Sequence, residues 1–229
     1  MRLAVISCWA YRDAWAPFFA LLEKFWPNHP QAWLLTEHIE PSAKVPNNVQ
    51  VFSGPNSLRW SWCQVVRAFA LTSGDEPILL MQEDFFLSGP VNTGLIERAL
   101  VELELQKAGS VRVYPCPGGD IDYGNPYFAE VQHGTSYRIS CQATIWRPSF
   151  LAEIARFRTP FDFEVLGGPV ADNMPDKVLA FKRDVHPWPM EYLCTGIIRG
   201  KWMADSRALL EANGIPVDFS MRKELPIAE

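Results

Sequence analysis

The apolar positions of the chain fall into two kinds of run. Leu3 to Cys8 and Ile78 to Met81 are almost continuously apolar, without polar alternation. Such runs suit strands buried on both faces, as in a parallel sheet covered by helices. Between them Trp15, Phe18, Phe19, Leu22, Phe25 and Trp26 recur at helical spacing. They predict a helix from Ala14 to about Trp26, with Asp13 as its cap and Pro27 as its stop. Strands are expected at Ala32–Thr36 and Val49–Ser53, joined by the Pro/Asn-rich piece Pro41–Asn48. A helix beginning at Asn56-Ser57 and running from Leu58 to about Leu71 is closed by Gly74-Asp75. The order β-α-β-β-α-β implies an α/β fold with a Rossmann-like, mostly parallel sheet flanked by helices.

The texture changes after Asp84. Asn92 caps an amphipathic helix to about Lys107, and Val111–Tyr114 reads as a strand. Pro115–Pro126 is rich in Gly, Pro and Asp, the composition of a site-lining loop. Tyr137–Trp146, Val178–Arg183 and Tyr192–Ile198 read as strands, and Pro148 opens a helix to about Phe157. Thr159–Asp176, with Gly167-Gly168, reads as irregular. Lys201–Asn213 is a last helix, ended by Gly214. One domain over residues 1–229 is expected, with 1–90 as a regular first half and 91–229 as an irregular second half.

Composition narrows the function classes. A net charge of −5 argues against a general nucleic-acid surface, so no polymer of that kind is expected as a partner. The 9 Trp and 14 Phe exceed what the core alone asks for and fit a site that stacks on bases or sugar rings. The 5 Cys are widely spaced without a C-x-x-C pair, which reads as reduced thiols in a cytoplasmic protein. No apolar stretch is long enough for a transmembrane segment, and the N-terminus enters a strand directly. No G-x-G-x-x-G or P-loop follows any strand, and His133 and His186 have no companion at zinc-ligand spacing.

The strand at Ile78–Met81 ends abruptly in Gln82-Glu83-Asp84 before Phe85 and Phe86. Ligands of open α/β sheets bind at the carboxyl ends of strands, so this acidic pair is the first candidate site; its alternative is a strand end reaching solvent. The set Ser7-Cys-Trp-Ala-Tyr11-Arg-Asp13, Gln82-Glu83-Asp84, Tyr137 to Trp146, Phe161-Asp-Phe-Glu164 and Gly200-Lys-Trp202 resembles, in its order, the small bacterial glycosyltransferases of the GT-A fold. The resemblance spans most of the chain through short, degenerate motifs, and Gln82-Glu83-Asp84 departs from a strict D-x-D.

The resemblance implies a transferase that takes a sugar from a nucleotide-sugar donor to a glycan or other hydroxyl acceptor. Residues 1–90 would be the donor half and 91–229 the acceptor half. Asp84, then Glu83, would hold a divalent cation, manganese or magnesium, or meet the ribose. In a metal-free route Arg199 and Lys201 would neutralise the leaving diphosphate instead, unless they are surface charge at a turn. Glu164 is the first candidate for the base that deprotonates the acceptor and Asp162 the second, since both face one side if that segment is extended. Asp162 after Pro160 reads equally as a helix cap. Ser7 lies in the donor motif. Tyr11 would stack on the nucleobase while Asp13 accepts from it, and Arg59 would approach the donor. Gln142, Trp146 and Trp188 would meet the acceptor, although buried tryptophans are more often core. The rival readings are a sugar nucleotidyltransferase and a non-catalytic carbohydrate-binding protein on the same fold.

Overall fold

The computed structural model of the chain describes residues 1–55 and 60–225. Its first half follows the expected alternation. Strand β1 (Arg2–Ile6) leads through a 3-10 turn (Trp9–Ala14) into helix α1 (Trp15–Phe25). Strands β2 (Ala32–Thr36) and β3 (Gln50–Ser53) precede helix α2 (Trp62–Thr72), and β4 (Ile78–Gln82) closes the half. Helix α3 (Thr93–Leu105) is capped by the Asn92 side chain, as its sequence suggested. Then come β5 (Ala108–Arg112), β6 (Phe128–Glu130), β7 (Thr144–Trp146), α4 (Pro148–Ile154), α5 (Pro160–Asp172) and β8 (Lys177–Phe181). The chain finishes with β9 (Ile197–Ile198), β10 (Lys201–Met203), α6 (Ala204–Ala212) and β11 (Glu224–Leu225).

An 8-stranded sheet in the order β3-β2-β1-β4-β7-β5-β8-β6 forms the centre, and a 3-stranded sheet, β11-β10-β9, stands beside it. β3, β2, β1 and β4 pair in parallel; β7 and β6 run against the other strands. The sheet is therefore mixed and mostly parallel. β1 and β4 are adjacent interior strands, covered on both faces, and Leu3 to Ile6 and Ile78 to Met81 are almost fully buried. Continuous apolar runs are the sequence form of that double cover. The register Ile6↔Gln82 puts the ends of β1 and β4 side by side, so Ser7–Tyr11 and Glu83–Asp84 emerge at one place.

Several local expectations give way. Asp13 does not cap α1: the chain winds one 3-10 turn first, and the Asp13 carboxylate pairs with Arg222. For α2, Ser61 forms a capping box with Gln64; the start expected at Asn56-Ser57 falls outside the described residues. Thr159–Asp176 is not irregular, because Thr159 and Asp162 form a capping box that starts α5. Gly167 belongs to its packing face, where a Cβ would come within 2.9 Å of Ile154 and 3.1 Å of Ile139. Gly-Gly there marks close helix packing rather than a break. Only Thr144–Trp146 of the stretch from Tyr137 is a strand, and Tyr192 contributes a single bridge to Leu87. Lys201–Met203 is strand β10, so α6 begins later than its sequence suggested.

Gly109 is the tightest point between β5 and α4, since a Cβ there would run into the Phe150 ring. Gly109→Ala is expected to lower unfolding free energy by about 2 kcal/mol, the usual cost of overpacking, read from urea denaturation. An unchanged midpoint would mean that α4 does not press on β5 as described.

Candidate active site

The ends of β1 and β4 open into a cleft of about 620 Å3. Ser7, Cys8 and Tyr11 line it from β1, Gln82 to Phe85 from β4, and Trp62 from α2. The second half contributes Cys141, Gln142, Pro160, Phe161 and Glu164, together with Cys194, Thr195 and Ile197. Of the residues singled out from sequence, Ser7, Tyr11, Glu83, Asp84, Gln142 and Glu164 thus share one space.

Adjacent carboxyls behave differently here. Asp84 Oδ2 accepts from the Thr195 hydroxyl at 2.7 Å and the Ile197 N–H at 3.2 Å. Its carboxyl is nevertheless raised, because burial outweighs those bonds. Glu83 is raised well above the usual carboxylate range, first by burial and then by the Asp84 charge beside it. Ser7 is its side-chain partner, and Ser7 Oγ itself accepts from Trp15 Nε1 at 2.6 Å. Glu164 is oriented by two donors: the Cys141 N–H at 2.8 Å and the Ser140 hydroxyl at 3.3 Å both donate to Oε1. Gln142 Oε1 accepts from the Tyr192 hydroxyl at 2.8 Å, which fixes the amide.

The thiols of the cleft are poor nucleophiles. Cys8 is pushed up to about 11 by burial and by the charges of Glu83 and Glu37. Cys141 lies well above its normal range and Cys194 is raised, in each case chiefly by burial. All three therefore stay protonated at neutral pH.

Other sequence candidates stand apart from the cleft. Asp162 N–H and carboxylate are both engaged with Thr159 in the α5 cap. Trp146 is 1% exposed and packs on Phe150 and Phe163, so it is core. Trp188 stacks on His186 and donates to the Arg183 carbonyl. Arg199 and Lys201 belong to the β9–β10 hairpin, where Arg199 takes a φ of 50°. Arg59 lies outside the described residues.

Arg222 is the residue that sequence reasoning missed. It forks onto the Asp13 carboxylate, donates to the Ala10 carbonyl at 2.7 Å and lies over the Tyr11 ring at 4.5 Å. An arginine in a polar tail gives no sequence sign of a partner more than two hundred positions away. Thr195 and Ile197 were hidden for the same reason.

Among the described residues no group of three or more His, Cys, Asp or Glu side chains gathers to hold a metal ion. Glu83 and Asp84 thus do not form part of a closed protein cage. Magnesium-type sites ask for less, namely one or two carboxylates with ligand phosphates and water completing the shell. The pair fits that arrangement, with Asp84 Oδ1 free of the bonds that Oδ2 makes to Thr195 and Ile197. No Lys or Arg stands among the described lining residues, so without a cation a phosphate entering the cleft would meet no positive side chain there.

No family model and no curated protein sequence matches the chain. Solved structures do align. A cytidylyltransferase from Leptospira borgpetersenii matches at 11% identity over 99% of this chain and 98% of that one, TM-score 0.50. TarS of S. aureus matches at 10% identity over 82% of this chain, TM-score 0.50. The bifunctional IspDF of Campylobacter jejuni matches at 11% identity over 86%, TM-score 0.45. The fold is GT-A-like. The chain spans only 35% of TarS and 52% of IspDF. Glycosyltransferases and cytidylyltransferases both stand among the neighbours, so the GT-A-like fold is one that nucleotide-sugar and nucleotidyl transferases share. Divalent cations are common on such folds. No helix among the described residues is long and apolar enough to cross a membrane.

The burial of Glu83 gives a stability signature. Glu83 has a folded-state value above its unfolded value of 4.5. Its neutral form favours the fold, and that contribution is lost as pH rises from the unfolded value through the folded one. Glu83→Gln is neutral throughout, so its Tm should rise relative to wild type as pH climbs above the unfolded carboxyl value of 4.5. Parallel Tm curves for the two proteins in calorimetry would show that Glu83 is not held neutral.

Proposed function

We propose that the chain is a glycosyltransferase, moving a sugar from a nucleotide-sugar donor to a hydroxyl of a glycan or similar acceptor. The observation that carries this reading is the cleft itself: an oriented carboxylate of the second half, Glu164, faces the same space as the acidic end of β4. The nucleotide rests against Tyr11, whose ring Arg222 backs, between the ends of β1 and β4. Asp84, with Glu83 beside it, would hold a divalent cation where the diphosphate enters. When bound, that cation supplies Lewis-acid stabilisation to the departing diphosphate.

The chain's own residues do the rest. Glu164 takes the proton of the acceptor hydroxyl on Oε2, since Oε1 is occupied by the two donors that aim the group. Gln142 is held through Oε1 by Tyr192 and through its amide nitrogen by Cys194 Sγ at 3.5 Å, which leaves the second N–H of that nitrogen to orient a sugar hydroxyl. Asp162 is set aside as base because both its groups close the α5 cap. Arg199 and Lys201 are set aside as the primary phosphate ligands because neither lines the cleft. Direct transfer suits a site whose thiols are all protonated, with Glu164 activating the acceptor.

The end-to-end alignment with a cytidylyltransferase favours a second reading, sugar nucleotidyl transfer. That chemistry brings a triphosphate, with more negative charge, into a cleft lined by carboxyls. It also asks for a glycine-rich phosphate loop after β1, whereas Ser7–Asp13 contains no glycine. Glycosyl transfer is the better fit.

Glu164→Gln should lower sugar transfer by at least about 100-fold, the usual contribution of a general base, while calorimetric affinity for the donor stays near wild type. An unchanged turnover would remove Glu164 from the base role. Pyrophosphate release from a nucleoside triphosphate and a sugar phosphate would move the assignment to nucleotidyl transfer.

A further inference from the structure

The cleft continues beyond Glu164. A second hollow of about 290 Å3 also has Glu164 in its lining and runs between the loop 134–137 and the face of α5 as far as Asp172. Tyr137 lines it, 51% exposed, with a φ of 57°. The residue sits in a turn closed by the Arg138 N–H donating to the Thr135 carbonyl at 3.1 Å. Glycine or asparagine is the ordinary occupant of a left-handed turn position, and an aromatic side chain there is strained. Such strain persists only where the surroundings over-determine it, and it clusters at ligand sites.

Arg112 is what over-determines it. This arginine is 2% exposed, and its guanidinium donates to the carbonyls of Tyr137 at 3.0 Å, Arg138 at 2.7 Å and Pro117 at 2.5 Å. Its partners are backbone carbonyls rather than a carboxylate, and burial lowers the group to about 10. A buried cation is costly, and here it fixes the backbone beneath an exposed ring that contributes little to the core. At the far end of the hollow Asp172 Oδ2 accepts from the Gly134 N–H at 3.1 Å. Asp172 Oδ1 is buried and without a hydrogen-bond partner among the described residues, although Arg138 lies 3.3 Å away.

An aromatic face, two carboxylates and the hydroxyls of Thr135 and Ser136 in one hollow are complementary to a sugar ring, apolar on its face and hydroxylated at its edge. We infer that this hollow is a second saccharide subsite, so that the acceptor is a glycan of at least two rings lying across Glu164 with one ring on Tyr137. The inference rests on the glycosyltransferase reading for its placement, but the subsite is testable without turnover. It adds an acceptor length requirement that the reaction alone does not impose.

The experiment is a glycan array of mono-, di- and trisaccharides probed with wild type, Tyr137→Gly and Tyr137→Phe. Calorimetry with uridine, guanosine and cytidine diphosphates and melting curves run alongside. Di- and trisaccharides should bind while monosaccharides do not. Tyr137→Gly should weaken binding about tenfold, as loss of one stacked ring does, and Tyr137→Phe should retain it. Because glycine relieves the backbone, Tyr137→Gly should melt no lower than wild type, an outcome that a purely structural tyrosine would not give. Equal binding of monosaccharides, unchanged binding by Tyr137→Gly, or no glycan binding by a protein that binds a nucleoside diphosphate would each overturn the subsite. Tyr137-dependent glycan binding without any nucleotide binding would instead uphold the subsite and remove the transferase reading. No binding of either ligand would overturn both.

Discussion

The two hydrogen bonds on Asp84 Oδ2 are the constraint on which the rest of the site depends. A carboxylate buried at the end of β4 has lost its water, and donors from Thr195 and Ile197 replace it. They bring the segment 194–197 across the sheet's carboxyl edge. Gly196 lies so close to Asp84 that a Cβ would come within 2.8 Å of the Asp84 carbonyl, so the segment has little room to shift. From there the packing runs onward: Phe86 stacks on Trp202, and Arg222 reaches over both Trp202 and Tyr11. The circuit begins at the acidic end of β4 and returns to the turn after β1. It encloses the space that the proposed function gives to the nucleotide.

A second chain of contacts frames the opposite wall. Phe85 stacks on Tyr192, Tyr192 stacks on Tyr114, and the Tyr192 hydroxyl serves both Gln142 and the Ala143 N–H. The aromatic excess is thus chiefly architectural, holding polar groups in place rather than presenting rings to a ligand. Tyr11, Trp62 and Phe161 are the rings that reach the cleft alongside Phe85. Glu83 and Asp84, neighbours in sequence, show how environment divides one residue type into two roles. Burial raises both, but Asp84 is anchored to the second half by Thr195 and Ile197, while Glu83 sits beside Ser7 and the Asp84 charge.

Much of this was legible in the sequence, for physical reasons. Strands covered on both faces cannot be polar, so β1 and β4 announced themselves and carried Ser7, Tyr11, Glu83 and Asp84 to one cleft. Glu164 and Gln142 came from motif resemblance and reached the same cleft, although by another local structure: α5 is a helix where an extended segment was expected. Gly167-Gly168 and Pro169 look like breakers when packing against Ile139 and Ile154 is unknown. Trp146 looked like a ligand platform because a core tryptophan and a stacking one are the same letter. Pairings between distant parts of the chain, such as Asp13 with Arg222 and Asp84 with Thr195, leave no local pattern. Arg112 is the sharpest case, an arginine in a buried strand whose partners are all carbonyls.

The central claim is that the edge formed by β1 and β4 receives a nucleoside diphosphate. Hydrogen–deuterium exchange of the protein with manganese, with and without uridine, guanosine or cytidine diphosphate, tests it most directly. The account predicts that one of these nucleotides slows exchange in the segments 7–11, 83–86 and 194–197. Protection confined to other segments, or no protection by any of the three, would contradict it.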